Sequence, residues 1–353
     1  MITKSIEQVL FLFNDNLHIE LELLGRAFLD ILSMPEIKER DIFLASFLSF
    51  LMYRQNKDEI KECISIIIKF EQITFVPHHL KQKVMGLCGS GKKGIKTINI
   101  STPSAIIASS CGVNIIKPGS QSTSSRTGSA DFFTILGVKN IPNITIEDML
   151  KEFSFAFISI ENTLAKFDSV YGHRFYVPTV LGFALAAISI PIICDKIVYG
   201  LSHSQQKLSY DLLKEICLTD PTILSTKVKN GIFVDEAAYG EILITNNKGQ
   251  SSINPQDFIN NWSSYSINDF QEKMTSEENV LTAIRAIKGK GVKPIQDLYA
   301  LNSAIYLKEM DIVSSLKEGF RISLDAIQSG HAYDHLRKIV KLFGGNLIEI
   351  ERT

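Results

Sequence analysis

The segment GLCGSGKKG at residues 86–94 is dense in residues that let a backbone come close to an anion. Gly86, four intervening residues, Gly91 and Lys92 nearly spell a P-loop, yet Lys93 stands where a P-loop needs a Ser or Thr hydroxyl to hold magnesium. Three readings stay open at this level: a damaged P-loop, a chance glycine cluster, or a phosphate cradle of another kind. A second candidate is the adjacent pair Asp235 and Glu236 at the end of the apolar run GIFVDE, residues 231–236. Hard cations take oxygen ligands, but such a pair taken alone is more simply an acidic turn. The five cysteines, Cys63, Cys88, Cys111, Cys194 and Cys217, form no CxxC pair. They read as free thiols in a reducing cytosol and suggest no zinc site.

These groups must be carried by a chain of 353 residues, enough for about two domains. With 45% hydrophobic and 21% charged residues, it can bury a sizeable core. A formal net charge of −1 and the lack of a long basic run give no support to nucleic-acid or anionic-membrane partners. The N-terminus has a short apolar run and no small-residue cleavage site, so no signal peptide is expected. Residues 177–194 are apolar but punctuated by Pro178, Gly182 and Pro191; a buried loop plus a short core helix is expected there, not a membrane span.

Helical spacing dominates the first ~75 residues. Ile6, Val9, Leu10 and Phe13 mark one helix, and Leu21, Leu24, Phe28 and Leu32 a second closed by Pro35. Phe43, Phe47, Leu48 and Leu51 mark a third, and Ile60, Cys63, Ile66 and Ile67 a fourth. From residue 76 the pattern alternates: strand at 98–100, helix at 104–112, strand at 113–119, helix at 128–138. Further strands are expected at 196–200, 231–236 and 240–245, an irregular stretch at 246–275, and helices around 278–289, 295–308, 310–329 and 331–342. Strand–helix alternation of this kind predicts an α/β sheet.

The order of short motifs carries more. Gly89-Ser90-Gly91-Lys92-Lys93-Gly94 is followed by Thr97-Ile98-Asn99-Ile100-Ser101-Thr102, then by Lys117-Pro118-Gly119-Ser120-Gln121. Ser124-Ser125-Arg126-Thr127-Gly128-Ser129-Ala130-Asp131 and Leu136-Gly137-Val138 complete a gapless run of about fifty residues. In that register the chain resembles the anthranilate phosphoribosyltransferase family, whose pattern reads roughly G-T-G-G-D-G, T-F-N-I-S-T, K-H-G-N-R, S-S-x-x-G-S-A-D and L-G-V. The resemblance implies a small all-helical domain, residues 1–75 completed by helices from about 141–190. It would sit beside a larger α/β domain, residues 76–140 and 191–353, with a central mixed sheet flanked by helices.

It also implies a reaction: phosphoribose moves from phosphoribosyl pyrophosphate to an amine, and pyrophosphate leaves. No covalent nucleophile is needed, because positioning and charge neutralisation supply the catalysis, and Mg²⁺ is the expected cofactor. The implied substrate-binding residues are Gly89, Ser90, Gly91, Lys92, Lys93, Asn99, Ser101, Thr102, Lys117 and Ser129. Ser101 and Glu236 would hold one magnesium ion, and Asp235 and Glu236 a second. A cytoplasmic homodimer joined through the N-terminal helices is the further expectation.

Departures gather on the acceptor side. The family His, Asn and Arg of K-H-G-N-R are here Pro118, Ser120 and Gln121. The family's L-G-x-R-T run aligns with Tyr171-Gly172-His173-Arg174-Phe175, which puts Asp168 where the Arg for the anthranilate carboxylate belongs. A carboxylate does not pair with a carboxylate. The expected acceptor is therefore an amine-bearing, aromatic molecule other than anthranilate, in a pocket formed by Pro118, Ser120, Asp168 and Arg174. Two rival readings are a nucleoside phosphorylase-like enzyme and a non-catalytic member binding nucleic acid or a protein partner.

Overall fold

The computed structural model describes residues 3–91, 94–120, 128–138, 144–175, 177–269 and 274–350. It opens with four helices: α1 (Lys4–Asn14), α2 (Leu21–Leu32), α3 (Ile37–Arg54) and α4 (Lys57–Glu71). Their apolar faces close on one another. Phe47 packs edge-on against Phe13 and stacks on Phe28, both at 5.3 Å between ring centres. Asn56 caps α4 by accepting the Asp58 and Glu59 N–H groups. A buried ion pair, Arg54 on Glu59 at 2.6 Å, ties α3 to α4. Phe11, Ile42 and Tyr53 remain largely exposed on the outer faces.

The chain then alternates. β1 (Val76–Pro77), β2 (Val84–Gly89), α5 (Ser101–Ser110), β3 (Asn114–Gly119), α6 (Ser129–Ile135), α7 (Ile146–Phe153) and β4 (Phe155–Ser159) follow in order. Next come α8 (Ile160–Thr163), α9 (Ala165–Tyr171), a 3₁₀ turn at Val180–Phe183, α10 (Leu185–Ile188), β5 (Ile192–Ile193), β6 (Lys196–Gly200) and α11 (Gln206–Ile216). β7 (Asp220–Lys227), β8 (Phe233–Val234), β9 (Glu241–Asn246) and β10 (Gly249–Ile253) complete the strands. The last helices are α12 (Ser276–Ile287), α13 (Lys293–Glu309), α14 (Leu316–Gln328), α15 (His331–Leu342) and α16 (Leu347–Ile350).

One sheet runs β10-β9-β7-β6-β2-β3-β4, with β8 added to the end of β7. β7, β6, β2, β3 and β4 are parallel, whereas β8 and β9 run antiparallel to β7. The parallel strands are buried, as a sheet covered by helices requires, with polar side chains such as Lys117 on β3 and Thr226 on β7 buried among the apolar ones. Helix α13 is buried continuously from Ile295 to Leu307 and packs against α5 and α14. From the expected helical completion at 141–190, α9 and the turn at 180–183 pack on the N-terminal helices, but α7 and β4 belong to the large sheet.

Four local expectations are corrected. Residues 98–100 are not a strand: Asn99 Oδ1 accepts the Thr102 N–H at 3.3 Å, which turns the chain straight into α5. That helix begins at Ser101 and not at residue 104. The stretch 246–275 contains β10, because Asn246 Oδ1 accepts the Lys248 N–H and Gly249 takes φ +99°, closing a hairpin. The helix expected from residue 310 starts only at Leu316, after Asp311 turns left-handed and Ser315 caps the Glu318 N–H. The apolar segment 177–194 is a buried turn and short helix, and among the described residues no helix is long and apolar enough to cross a membrane.

His335 supplies a pH signature. Its Nε2 pairs with Ser109 Oγ at 2.9 Å, and burial, with smaller effects from His331 and Lys338, lowers its pKa to about 4. The unfolded chain then takes up a proton more readily than the native one, so this stability is present above about pH 6.5 and fades as pH falls towards 4. At about 1.4 kcal/mol per pKa unit, the loss is at most about 3.5 kcal/mol. Urea melts of His335→Gln should fall less steeply between pH 6.5 and 4 than those of the parent; parallel curves would refute this.

Candidate active site

The order of the parallel strands fixes where a ligand fits. From β2 the chain moves outward to β3 and β4, then returns to β6 on the other side of β2 and moves outward again to β7. The direction reverses between β2 and β6, and a crevice opens beyond the carboxyl ends at such a point. The two strands end there on paired glycines, Gly89 opposite Gly200. Ser90 continues from β2, donating its N–H to Gly200 O at 2.8 Å. Its hydroxyl meets that of Ser202 at 2.8 Å and accepts the Ser202 N–H at 3.0 Å. Gly91 follows with φ +75° and open space where a Cβ would stand, a backbone that favours glycine. Lys92 and Lys93 lie outside the described residues.

Asp235 and Glu236 reach this point from β8, which pairs with β7 beside β6. Only Phe233 and Val234 of the expected 231–236 strand pair with β7; the two acids then form a turn. A Cβ on Gly200 would run into the Asp235 carbonyl, and one on Gly89 would lie 3.0 Å from Asp235 Oδ2. The carboxylates are 6% and 5% exposed. Their turn is locked from two sides. Asn302 on α13 accepts the Ala237 N–H and donates to Ala237 O, both at 3.0 Å. Thr226 on β7 donates to Glu236 O at 2.7 Å and accepts the Ala238 N–H at 3.0 Å. Asn302 lies in the motif LNSAIYL, but nothing local in the sequence shows that it grips a turn 65 residues upstream.

The other expected phosphate-side residues surround the β2–β3 edge. Asn99 also reaches Gly128 O at 3.5 Å, just before Ser129 opens α6. Gly119 allows that approach, since a Cβ there would lie 2.6 Å from Ser129 Cβ. Thr102 is fully buried and its Oγ1 has no hydrogen-bond partner. Lys117 is buried within β3, and Ser101 stands half-buried at the first turn of α5. Among the described residues, no group of three or more His, Cys, Asp or Glu side chains is placed to hold a metal. A donor set of two buried acids suits a magnesium ion that takes its remaining ligands from phosphate oxygens and water.

The turn Gly89–Gly91 shares one cavity with Ser120, Asp168, Tyr171 and His203. Two members of the expected acceptor pocket are not brought there. Pro118 is buried in β3, where it faces Ile158 in register. The Arg174 guanidinium turns away to donate to Gly172 O at 3.0 Å and to pair with Asp41 at 3.4 Å. Burial raises the Asp168 carboxyl above its ordinary range, and Glu161 adds to this, against the pull of His173 and Arg174. Glu161 and His203, both lining the cavity, were not singled out from the sequence, because neither lies in a recognisable motif. The His203 Nδ1 accepts the Gln205 N–H at 3.2 Å, and burial depresses its pKa, favouring the neutral imidazole.

Comparison with known proteins agrees with this layout. A family model described as the glycosyl transferase family, a/b domain, matches residues 81–333. An anthranilate phosphoribosyltransferase from Helicobacter pylori (strain Shi470) is 30% identical over 268 residues, covering 72% of this chain and 76% of that protein. The chain belongs to the anthranilate phosphoribosyltransferase family. Another anthranilate phosphoribosyltransferase, from Thermoanaerobacter sp., is 29% identical over 280 residues, covering 73% of this chain and 76% of its own. The family fold is shared throughout: the Thermus thermophilus enzyme superposes with a TM-score of 0.77 at 21% identity, covering 97% of this chain and 100% of that one. The Saccharomyces cerevisiae enzyme, in complex with PRPP and Mg, gives 0.77 at 18% identity, covering 97% and 99%. In this chain the cavity beside the glycine turn carries two carboxylates, Glu161 and Asp168.

Proposed function

We propose that the chain is a magnesium-dependent phosphoribosyltransferase of the anthranilate type, moving phosphoribose from phosphoribosyl pyrophosphate to an aromatic amine other than anthranilate. The observation that carries this reading is the convergence of Asp235 with Gly89 and Gly200 at the strand switch point, beside a cavity that also contains Asp168. In this reading Gly89, Ser90 and Gly91 let the backbone of their turn come close to the diphosphate, and the sequence that follows brings the charges of Lys92 and Lys93. Asn99, Thr102 and Ser129 hold the sugar-phosphate, and the unsatisfied Thr102 hydroxyl has a use there. Lys117 contributes positive charge from β3, and Ser101, Asp235 and Glu236 would hold magnesium. Bound magnesium would neutralise charge building on the departing pyrophosphate. The chain's own part is to hold the sugar carbon facing the cavity, so that an amine seated near Asp168 attacks as pyrophosphate leaves.

Calorimetric titration of phosphoribosyl pyrophosphate with and without Mg²⁺ tests the donor half. Pyrophosphate release across a panel of aromatic amines, with anthranilate included, tests the acceptor half. Magnesium-dependent binding and release with a non-anthranilate amine are expected. Absence of binding in Mg²⁺ would end the transferase reading, and efficient turnover of anthranilate would end the acceptor reading.

A further inference from the structure

Granted the transferase reading, on which this inference rests, the acceptor cavity has a chemistry that narrows the amine further. One side is a ladder of rings on α9 and the loop after it. Phe167 stacks on Tyr171 at 5.1 Å and Tyr171 on Phe175 at 5.2 Å, and Tyr171 and Phe175 line the cavity. The ladder is held in place, since Tyr171 Oη meets Thr179 Oγ1 at 2.9 Å. Two carboxylates, Glu161 and Asp168, also line the cavity, and Glu161 lies close enough for its charge to act on Asp168. Ser159 Oγ donates to Glu161 at 2.8 Å, which orients it. Asp168 is folded against the backbone of Gly172, where any side chain would collide with its carboxylate, so it too has a set position.

Among the described residues, countercharge for an anionic ligand is scarce on this wall. Arg174 is drawn off by Asp41 and Gly172, and His203 is held towards its neutral form. His173 is exposed where it lines the cavity and is the group that would favour a carboxylate. A planar ligand that stacks on Tyr171 and Phe175 and presents two adjacent N–H donors would satisfy both features at once. An amidine-like edge, a ring N–H beside an exocyclic amine, meets one carboxylate with two parallel hydrogen bonds. We infer that the acceptor pocket selects amino-heteroaromatic molecules with such a paired-donor edge, and that Asp168 is its specificity-determining residue. A site built on this pairing discriminates strongly against ligands of the same size that lack it.

The probes are 2-aminopyridine, which has the edge once its ring nitrogen is protonated, 3-aminopyridine, which has the same size without it, and anthranilate, which carries a carboxylate. Each is titrated calorimetrically into the full chain without phosphoribosyl pyrophosphate, so the outcome is read separately from donor binding. The 2-amino isomer should bind roughly ten-fold or more tighter than either other probe. Asp168→Asn should remove that preference and Asp168→Glu should keep part of it, with far-UV circular dichroism and melting curves confirming that both variants fold. Equal affinity for the two isomers, tighter binding of anthranilate, no binding of any probe, or an unchanged preference in Asp168→Asn would each overturn the proposal. Failure of the donor reading would appear elsewhere, as absent magnesium-dependent binding of phosphoribosyl pyrophosphate.

Discussion

Asp235→Asn combined with Glu236→Gln is expected to cut magnesium-dependent affinity for phosphoribosyl pyrophosphate by on the order of a hundred-fold or more. The reason is positional as well as chemical. Both carboxylates are almost wholly buried in a turn locked by Asn302 and Thr226, so solvent cannot substitute for them and no neighbour can swing in. A melt of the ligand-free amide variant close to that of the parent would assign the loss to metal binding and not to folding. Titration calorimetry with and without Mg²⁺ and a thermal melt of the ligand-free protein check the two halves. Retained magnesium dependence in the variant would remove the metal role; a large fall in melting temperature would show that the acids serve the fold.

Gly200→Ala is expected to lose most of the same affinity although it removes no functional group. A Cβ at residue 200 meets the backbone carbonyl of Asp235, and backbone held by Asn302 and Thr226 cannot step aside. Either β6 or the acid turn must shift, at about 1–3 kcal/mol for overpacking, and Asp235 leaves the position in which it faces Gly89. Gly89→Ala should be milder. Its Cβ would stand 3.0 Å from Asp235 Oδ2, a side-chain end that yields by a few tenths of an ångström. The expected order of donor affinity is parent, then Gly89→Ala, then Gly200→Ala, with urea melts confirming that both variants remain folded. Parent-like affinity in Gly200→Ala would show that the contact does not position the acids.

The sequence made the site's chemistry visible earlier than its geometry. The four N-terminal helices were plain in their apolar spacing, and so were the buried strands ending at Gly119 and Gly200. The glycine turn and the acid pair could be named because each is a short local pattern whose order matched a family. What stayed hidden depends on contacts distant along the chain. Asn302 is one buried asparagine on a helix buried on every side, and its grip on Ala237 leaves no periodic trace. Glu161 follows β4 at the edge of the sheet and His203 follows β6 near its middle, so neither advertises the other. Arg174 was misplaced because a basic residue in a site loop is easily given to the ligand, whereas Asp41 on the third helix claims it. The missed hairpin at Gly249 and the loop at 98–100 were decided by single side-chain hydrogen bonds, which outweigh apolar pattern over so few residues.

The lock supplied by Asn302 also sets a time order. A chain emerging from the ribosome has its glycine turn and both acids long before the helix that clamps them is made. Half-finished copies would thus hold a sugar diphosphate poorly, and competence should appear only when Ile295–Leu307 sinks into the interior. Assembly of the catalytic centre and completion of the fold become a single event.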